Sequence, residues 1–243
     1  MCFVMVSTGG RIMDSTNINL TKVGVITYAH NHLKSEQLIE PLFRRGYDIS
    51  IYALPFVQRP SREVLFAHRP EQHNAKHPAD ISKELKIKYT NCSNDTEIDD
   101  NCDIYIVTGA GILSEKCIHN KKIINCHPGL IPISRGLDSF KWAIFDSIPV
   151  GNTLHFIDYR VDAGEIIYQE ETPLYMSDTI EEFALRHYSH EIKMLLNFHE
   201  LLLKKSKNRL DLEEGIVHKR MPLEVEREML RRFDAYKEKF AQR

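Results

Sequence analysis

The sequence predicts an α/β fold, a mostly parallel twisted sheet with helices on both faces, followed by a C-terminal helical appendage. Two observations lead there. Short β-branched runs alternate with stretches of helical periodicity from Val23 onward. The first strand, helix and second strand fit within about 32 residues, Val23 to Leu54, which is the length of a βαβ unit and implies a right-handed crossover.

Val23 to Thr27 is the first strand, and Leu33, Leu38, Ile39 and Leu42 mark one face of the helix that follows, up to Gly46. Asp48 to Leu54 is the second strand. Ile104 to Thr108 reads as a third, closed by Gly109-Ala110-Gly111, with Ile123 to Cys126 a fourth and Thr153 to Ile157 a fifth. Beyond Gly164 the run Ile166-Ile167-Tyr168 predicts a further strand or hairpin. Asp178 then opens a long helix with Glu181 in capping-box position. Pro222 suits the first turn of a last helix, whose Val225, Met229, Phe233, Tyr236 and Phe240 form an apolar stripe. Residues 1–18 read as a loose leader, with Met13 a candidate start, 19–203 as the main domain and 204–243 as the appendage.

Composition narrows the function classes. Lysine and arginine number 32 against 34 acidic residues, a net charge of -2, and neither end carries a long basic block, so nucleic acid is not the expected partner. The five cysteines are odd in number and lack a Cys-x-x-Cys pair, which fits a reducing compartment. No run approaches the roughly 20 apolar residues that span a bilayer. With no targeting pattern at the start, the expectation is a cytoplasmic protein.

The chemistry concentrates at the end of the fourth strand, Asn125-Cys126-His127-Pro128-Gly129-Leu130-Ile131-Pro132. Residues two apart on a strand share a face, so an amide and an imidazole project together, at the carboxyl edge where open α/β sheets place ligands. About thirty residues on, Thr153, His155, Asp158, Asp162 and Gly164 follow, a strand running into a loop that presents two aspartates. An amide donor, an imidazole and a carboxylate at adjacent strand ends suit acyl transfer. An isolated Asn-x-His more often caps a strand end. Gly109-Ala110-Gly111 invites a dinucleotide reading, but Ser114 stands where the third glycine belongs. His187 and His190, three apart, lack a metal-ligand set around them and read as a solvated face. His68, His73 and His77, interleaved with Arg69, Pro70 and Pro78, read as a mobile loop.

Both motifs, in order, resemble the folate-dependent formyltransferases, with Asn-x-His-Pro-x-Leu-x-Pro followed by Thr-x-His-x-x-Asp-x-x-x-Asp-x-Gly. The likeness spans roughly Lys22 to Gln169 and implies a Rossmann-like formyltransferase fold. It implies 10-formyltetrahydrofolate as formyl donor, no metal, and Asn125, His127 and Asp162 as the catalytic trio. It also implies a folate pocket walled by Gly109, Ala110, Gly111, Ile112 and Leu113, with Asp158 shaping the adjoining loop. Arg160 stands where a glycine is usual.

The acceptor is read from departures. The first strand-to-helix turn, Tyr28-Ala29-His30-Asn31-His32, has no glycine, unlike the phosphate-binding turn of glycinamide-ribonucleotide formyltransferases, and the short tail lacks the basic domain of methionyl-transfer-RNA formyltransferases. Formyltetrahydrofolate hydrolases usually carry an N-terminal regulatory domain, for which there is no room before Val23. Three features resemble the sugar branch, which formylates nucleotide-linked aminodeoxysugars for surface polysaccharides. They are Pro128-Gly129 in place of Pro-Ser, the run Arg135 to Trp142, and the segment His218 to Pro222. Arg135, Trp142 and His30 are the candidate acceptor contacts, although a lone tryptophan is core more often than not. The sugar formyltransferases also imply a homodimer, braced by the apolar stripe of the last helix. The non-enzyme alternative is a folate- or nucleotide-binding paralogue without turnover.

Overall fold

The computed structural model of the chain describes residues 21–58, 62–158, 164–204 and 216–242. The expected leader and Asp162 lie outside the described residues. The elements, in chain order, are β1 (Lys22–Tyr28), α1 (Leu33–Arg44), β2 (Asp48–Leu54), α2 (Pro78–Leu85), β3 (Lys88–Asn91), β4 (Ile104–Val107), α3 (Glu115–Ile118) and β5 (Ile123–His127). They continue as β6 (Arg135–Gly136), α4 (Ser139–Phe145), β7 (Gly151–Phe156), β8 (Ile166–Glu171), α5 (Ile180–Leu196), α6 (Phe198–Leu203), β9 (Val217–His218) and α7 (Leu223–Phe240).

One seven-stranded sheet runs in the order β3-β2-β1-β4-β5-β7-β8. The pairs β1–β2, β1–β4, β2–β3 and β4–β5 are parallel, whereas β7 pairs antiparallel with both β5 and β8. The predicted fifth strand is thus β7 with its direction reversed. Side-chain alternation splits the core. Val23, Val25, Ile104, Ile106, Ile124 and Cys126 meet α1, α5 and α6 on one face, while Ile26, Tyr105 and Ile123 meet Leu113 and Cys117 on the other.

A third core joins Phe140 and Ile144 of α4, Phe183 of α5, and Met229, Phe233 and Tyr236 of α7. The stripe on α7 therefore packs on its own chain, with Met229 completely buried. Glu226, also on α7, is buried as well. It takes the ammonium of Lys141 and the backbone N–H groups of Leu65 and Phe66, at 3.1 and 3.2 Å. At the head of α5 the cap is Thr179 with Glu182, one residue later than expected, and Asp178 instead accepts two bonds from Arg186, at 2.6 and 2.8 Å.

Candidate active site

His127 ends β5 opposite Thr153, and its Nε2 lies 3.0 Å from the Ser134 carbonyl oxygen and 3.2 Å from Ser139 Oγ. A carbonyl only accepts, so Nε2 carries the proton, and a second proton goes to Nδ1. The Ser139 hydroxyl donates to the Gly136 carbonyl at 3.0 Å, which leaves its lone pair for His127. Gly129 makes the close approach possible: a Cβ there would stand 2.6 Å from the Ser134 carbonyl oxygen and 2.8 Å from His127 Nε2. The turn also contains a cis Ile131-Pro132 peptide. It is tied down by Thr153, whose hydroxyl donates to the Gly129 carbonyl at 2.7 Å and accepts from Ile131 N at 3.0 Å.

Asn125 lies on the same face of β5, paired with His155 of β7. His155 Nδ1 is 3.0 Å from the Phe156 carbonyl oxygen and donates to it, so Nε2 accepts, at 3.4 Å, from the Asn125 amide nitrogen. That contact orients the amide, and its second N–H bonds no described residue. Asn125 is half-buried and His127 buried. The sequence named His155 as part of a motif but gave it no task; pairing across β5 and β7 supplies one.

Asp162 is the third expected member and falls outside the described residues. The residues on either side of it, up to Asp158 and from Gly164, are described. Phe156 N donates to the Glu165 carbonyl at 2.9 Å, and a Cβ on Gly164 would stand 1.6 Å from the Phe156 carbonyl oxygen, so only glycine fits at 164. Asp158 is half-buried beside an open groove of about 400 Å³ lined by Glu115, Ile118, His119, Lys121 and Ile157.

The segment expected to wall the folate pocket leaves β4 beside Asn125's strand. Gly109 lays bare backbone against Tyr28 and His32, Leu113 is buried in the core below, and Ile112 is 86% exposed. Of the expected acceptor contacts, His30 packs against Phe56 and His73 at the ends of β1 and β2. Arg135 is part of β6, paired with β9. Trp142, in contrast, stacks on His218 with ring centroids 4.3 Å apart and donates from Nε1 to the Lys219 carbonyl at 2.8 Å. Its ring pins β9 to α4.

Above the opposite face lies a charged group the sequence did not signal, because its members are far apart in the chain. Glu191, 1% exposed, accepts from Lys34 Nζ at 2.6 Å and from Arg69 Nη2. Burial raises its pKa, but Arg69 and then Lys34 outweigh that and hold it at about 2. Two cations face one carboxylate. His32, next to them, is held near 4 by burial first and then by Lys34 and Arg69. His187, expected on a solvated face, is buried, and desolvation keeps it neutral with a pKa of about 3.

Residues 62–77, which include the stretch from His68 to His77 expected as a mobile loop, form a strap anchored along its length. Leu65 and Phe66 bond Glu226, His68 stacks on Phe140, and Arg69 bonds Glu191. Gln72 fills the start of α1: Leu33 N donates to its carbonyl at 2.7 Å and Lys34 N to its Oε1 at 3.3 Å. The next two N–H groups, Ser35 and Glu36, bond the His32 carbonyl. The N-terminal donors that a helix offers to a phosphate are thus taken up internally.

Comparisons with known proteins place this geometry. A family model described as Formyl transferase matches residues 93–198. A phosphoribosylglycinamide formyltransferase of Haemophilus influenzae is 33% identical over 117 residues, covering 43% of this chain and 55% of that protein. The trifunctional purine biosynthetic protein adenosine-3 of Gallus gallus is 41% identical over 66 residues, covering 27% of this chain and 7% of that one. The chain thus spans about half or less of the length of these curated relatives. Among solved structures, a sugar N-formyltransferase from a Shewanella species superposes with a TM-score of 0.57 at 20% identity, covering 82% of this chain and 76% of that one. A phosphoribosylglycinamide formyltransferase from Anaplasma phagocytophilum superposes with a TM-score of 0.52 at 20% identity, covering 82% and 99%. These structures share the fold. Residues 93–198, the part that matches the Formyl transferase model, contain β5 with Asn125 and His127.

Proposed function

We propose that this protein transfers a formyl group from 10-formyltetrahydrofolate to the amine of a nucleotide-linked amino sugar, as a cytoplasmic step in making surface polysaccharide. The observation that supports the transfer is the pairing of an oriented Asn125 amide with the His127 imidazole at the carboxyl end of β5. The acceptor nitrogen attacks the formyl carbon, and the carbonyl oxygen gains negative charge. The Asn125 N–H and a protonated His127 Nδ1 donate to that oxygen. The carbon–N10 bond then breaks, the formyl group stays on the acceptor, and the proton lost by the amine is returned to N10. Asp162 is assigned to hold the His127 charge and relay that proton. Gly109 to Leu113 are assigned to the folate, Ile112 offering an apolar contact.

The acceptor assignment is supported by Gln72. A ribonucleotide phosphate cannot use the start of α1 while Gln72 bonds Leu33 and Lys34. The names of the sequence relatives favour glycinamide ribonucleotide instead. The two readings separate on one assay: purified protein, 10-formyltetrahydrofolate, and either a panel of nucleotide-linked amino sugars or glycinamide ribonucleotide, with products read by mass spectrometry. A gain of one formyl group on an amino sugar is expected, and efficient formylation of glycinamide ribonucleotide would reverse the acceptor.

A further inference from the structure

Four aromatic rings, the candidate acceptor contact His30 among them, gather at the carboxyl ends of β1 and β2. Tyr28 and Phe56 meet edge to face with centroids 5.3 Å apart, Phe56 and His30 lie 4.6 Å apart, and His73 closes on both, 4.8 Å from His30 and 5.2 Å from Phe56. The large rings of the cores, such as Tyr105 and Phe140, are buried. Here Tyr28, His30 and Phe56 are half-buried and His73 is exposed. The two imidazoles are also held in place: Nδ1 of His30 and Nδ1 of His73 each donate to the Asn31 carbonyl, at 3.1 and 3.4 Å.

We infer that Tyr28, His30, Phe56 and His73 are the stacking platform for the base of the nucleotide-linked acceptor, with Arg69 placed to meet its phosphates. The inference rests on the acceptor proposed above. Position is the first reason. Strand order changes direction between β1 and β4, and ligands of such sheets sit at that crevice. Distance is the second. β4 alone separates β1 from β5, and β2 lies one strand further, so the platform stands about 10 to 15 Å from the Asn125 strand at a spacing of roughly 4.8 Å per strand. A ribose and a diphosphate bridge such a gap between a base and a sugar.

Charge is the third reason. The strap of residues 62–77 runs from α4, beside Ser139 and His127, to the platform, and Arg69 lies between its ends. Lys34, Arg69 and Glu191 sum to one positive charge, and the Arg69 side chain is 31% exposed. A planar base on rigid aromatic faces needs no particular hydrogen-bond pattern, so the platform selects for a nucleotide and leaves the identity of the base to its rim.

The test is calorimetric titration of the full chain and of the variants Phe56→Ala, His73→Ala and Phe56→Tyr with dTDP, UDP and, separately, tetrahydrofolate. Thermal melting checks that each variant is folded. Phe56→Ala and His73→Ala are expected to weaken nucleoside diphosphate binding about tenfold or more, with Phe56→Tyr close to the native protein and tetrahydrofolate affinity unchanged. His73 is exposed, so its variant remains informative if Phe56→Ala unfolds. Native affinity for dTDP or UDP in folded alanine variants would overturn the platform and leave the acceptor class standing. Loss of tetrahydrofolate affinity alone would assign the rings to the donor and overturn it equally. A native chain that binds tetrahydrofolate but neither diphosphate would overturn the acceptor class itself, and the platform with it.

Discussion

Gly129 illustrates how tightly the site is set residue by residue. The motif made it a marker of one branch of the family; its environment supplies the physics. Any side chain there meets the Ser134 carbonyl that holds His127 Nε2, and the Thr153 hydroxyl pins the Gly129 carbonyl from the other side. Gly129→Ala is therefore expected to reduce kcat by about tenfold or more through a displaced imidazole, a loss of roughly 1.4 kcal/mol of transition-state stabilisation. Steady-state kinetics beside a thermal melt checks it: the drop in kcat should exceed what any fall in melting temperature explains. His187 gives a second expectation. Its folded pKa of about 3 lies below the 6.5 of an unfolded histidine, so the unfolded chain binds more protons between those values and stability falls as pH drops through that window. At pH 5 the cost is on the order of 2 kcal/mol relative to pH 7. Urea unfolding of the native chain and of His187→Asn should show a shallower pH dependence in the variant, and parallel slopes would remove His187 from the account. The paired Asn125 and His127 were legible because a strand has period two. The burial of His187, Glu191 and Glu226 was not, since a polar residue on a helix reads as solvated until its partner is known, and Lys34 and Lys141 lie 157 and 85 residues from theirs.

Among the elements, β2 matches its predicted bounds, and β1, β4 and β5 are each within a residue or so of theirs. Turn residues and β-branched runs mark such strands locally. The direction of β7 was not legible. A strand covered on both faces reads the same in either sense, and only pairing with β5 and β8 distinguishes them. The strap of residues 62–77 escaped detection for a related reason: it has no periodicity, and its order comes from Glu226, Glu191 and the start of α1. Lys141 and Glu226 join α4, α7 and this strap in one buried contact. Lys141→Met is expected to leave the Glu226 carboxylate buried without its cation and to destabilise the chain by about 3–5 kcal/mol, measured by urea unfolding. A change below about 1 kcal/mol would show that the backbone N–H groups of Leu65 and Phe66 satisfy the carboxylate unaided.

Over the whole molecule, the parallel strands bring β1, β4 and β5 to one edge. The helices and the strap then divide that edge into a side facing Gly109 to Leu113, assigned to the donor, and a side facing Arg69 and His73, assigned to the acceptor. The α7 stripe completes the core around Phe140 and Phe183, an outcome that amphipathicity alone does not decide, since a stripe specifies only that something covers it. Gly164, just after the segment that contains Asp162, brings bare backbone against the Phe156 carbonyl. The most direct measurement is formyl transfer from 10-formyltetrahydrofolate to an amine acceptor, followed as release of tetrahydrofolate and as formylated product, for the native chain and for folded Asn125→Ala and His127→Ala. Turnover by the native chain with about 10²–10³-fold losses in kcat for each variant is the predicted result. Near-native turnover by His127→Ala would contradict the assignment of the catalytic centre.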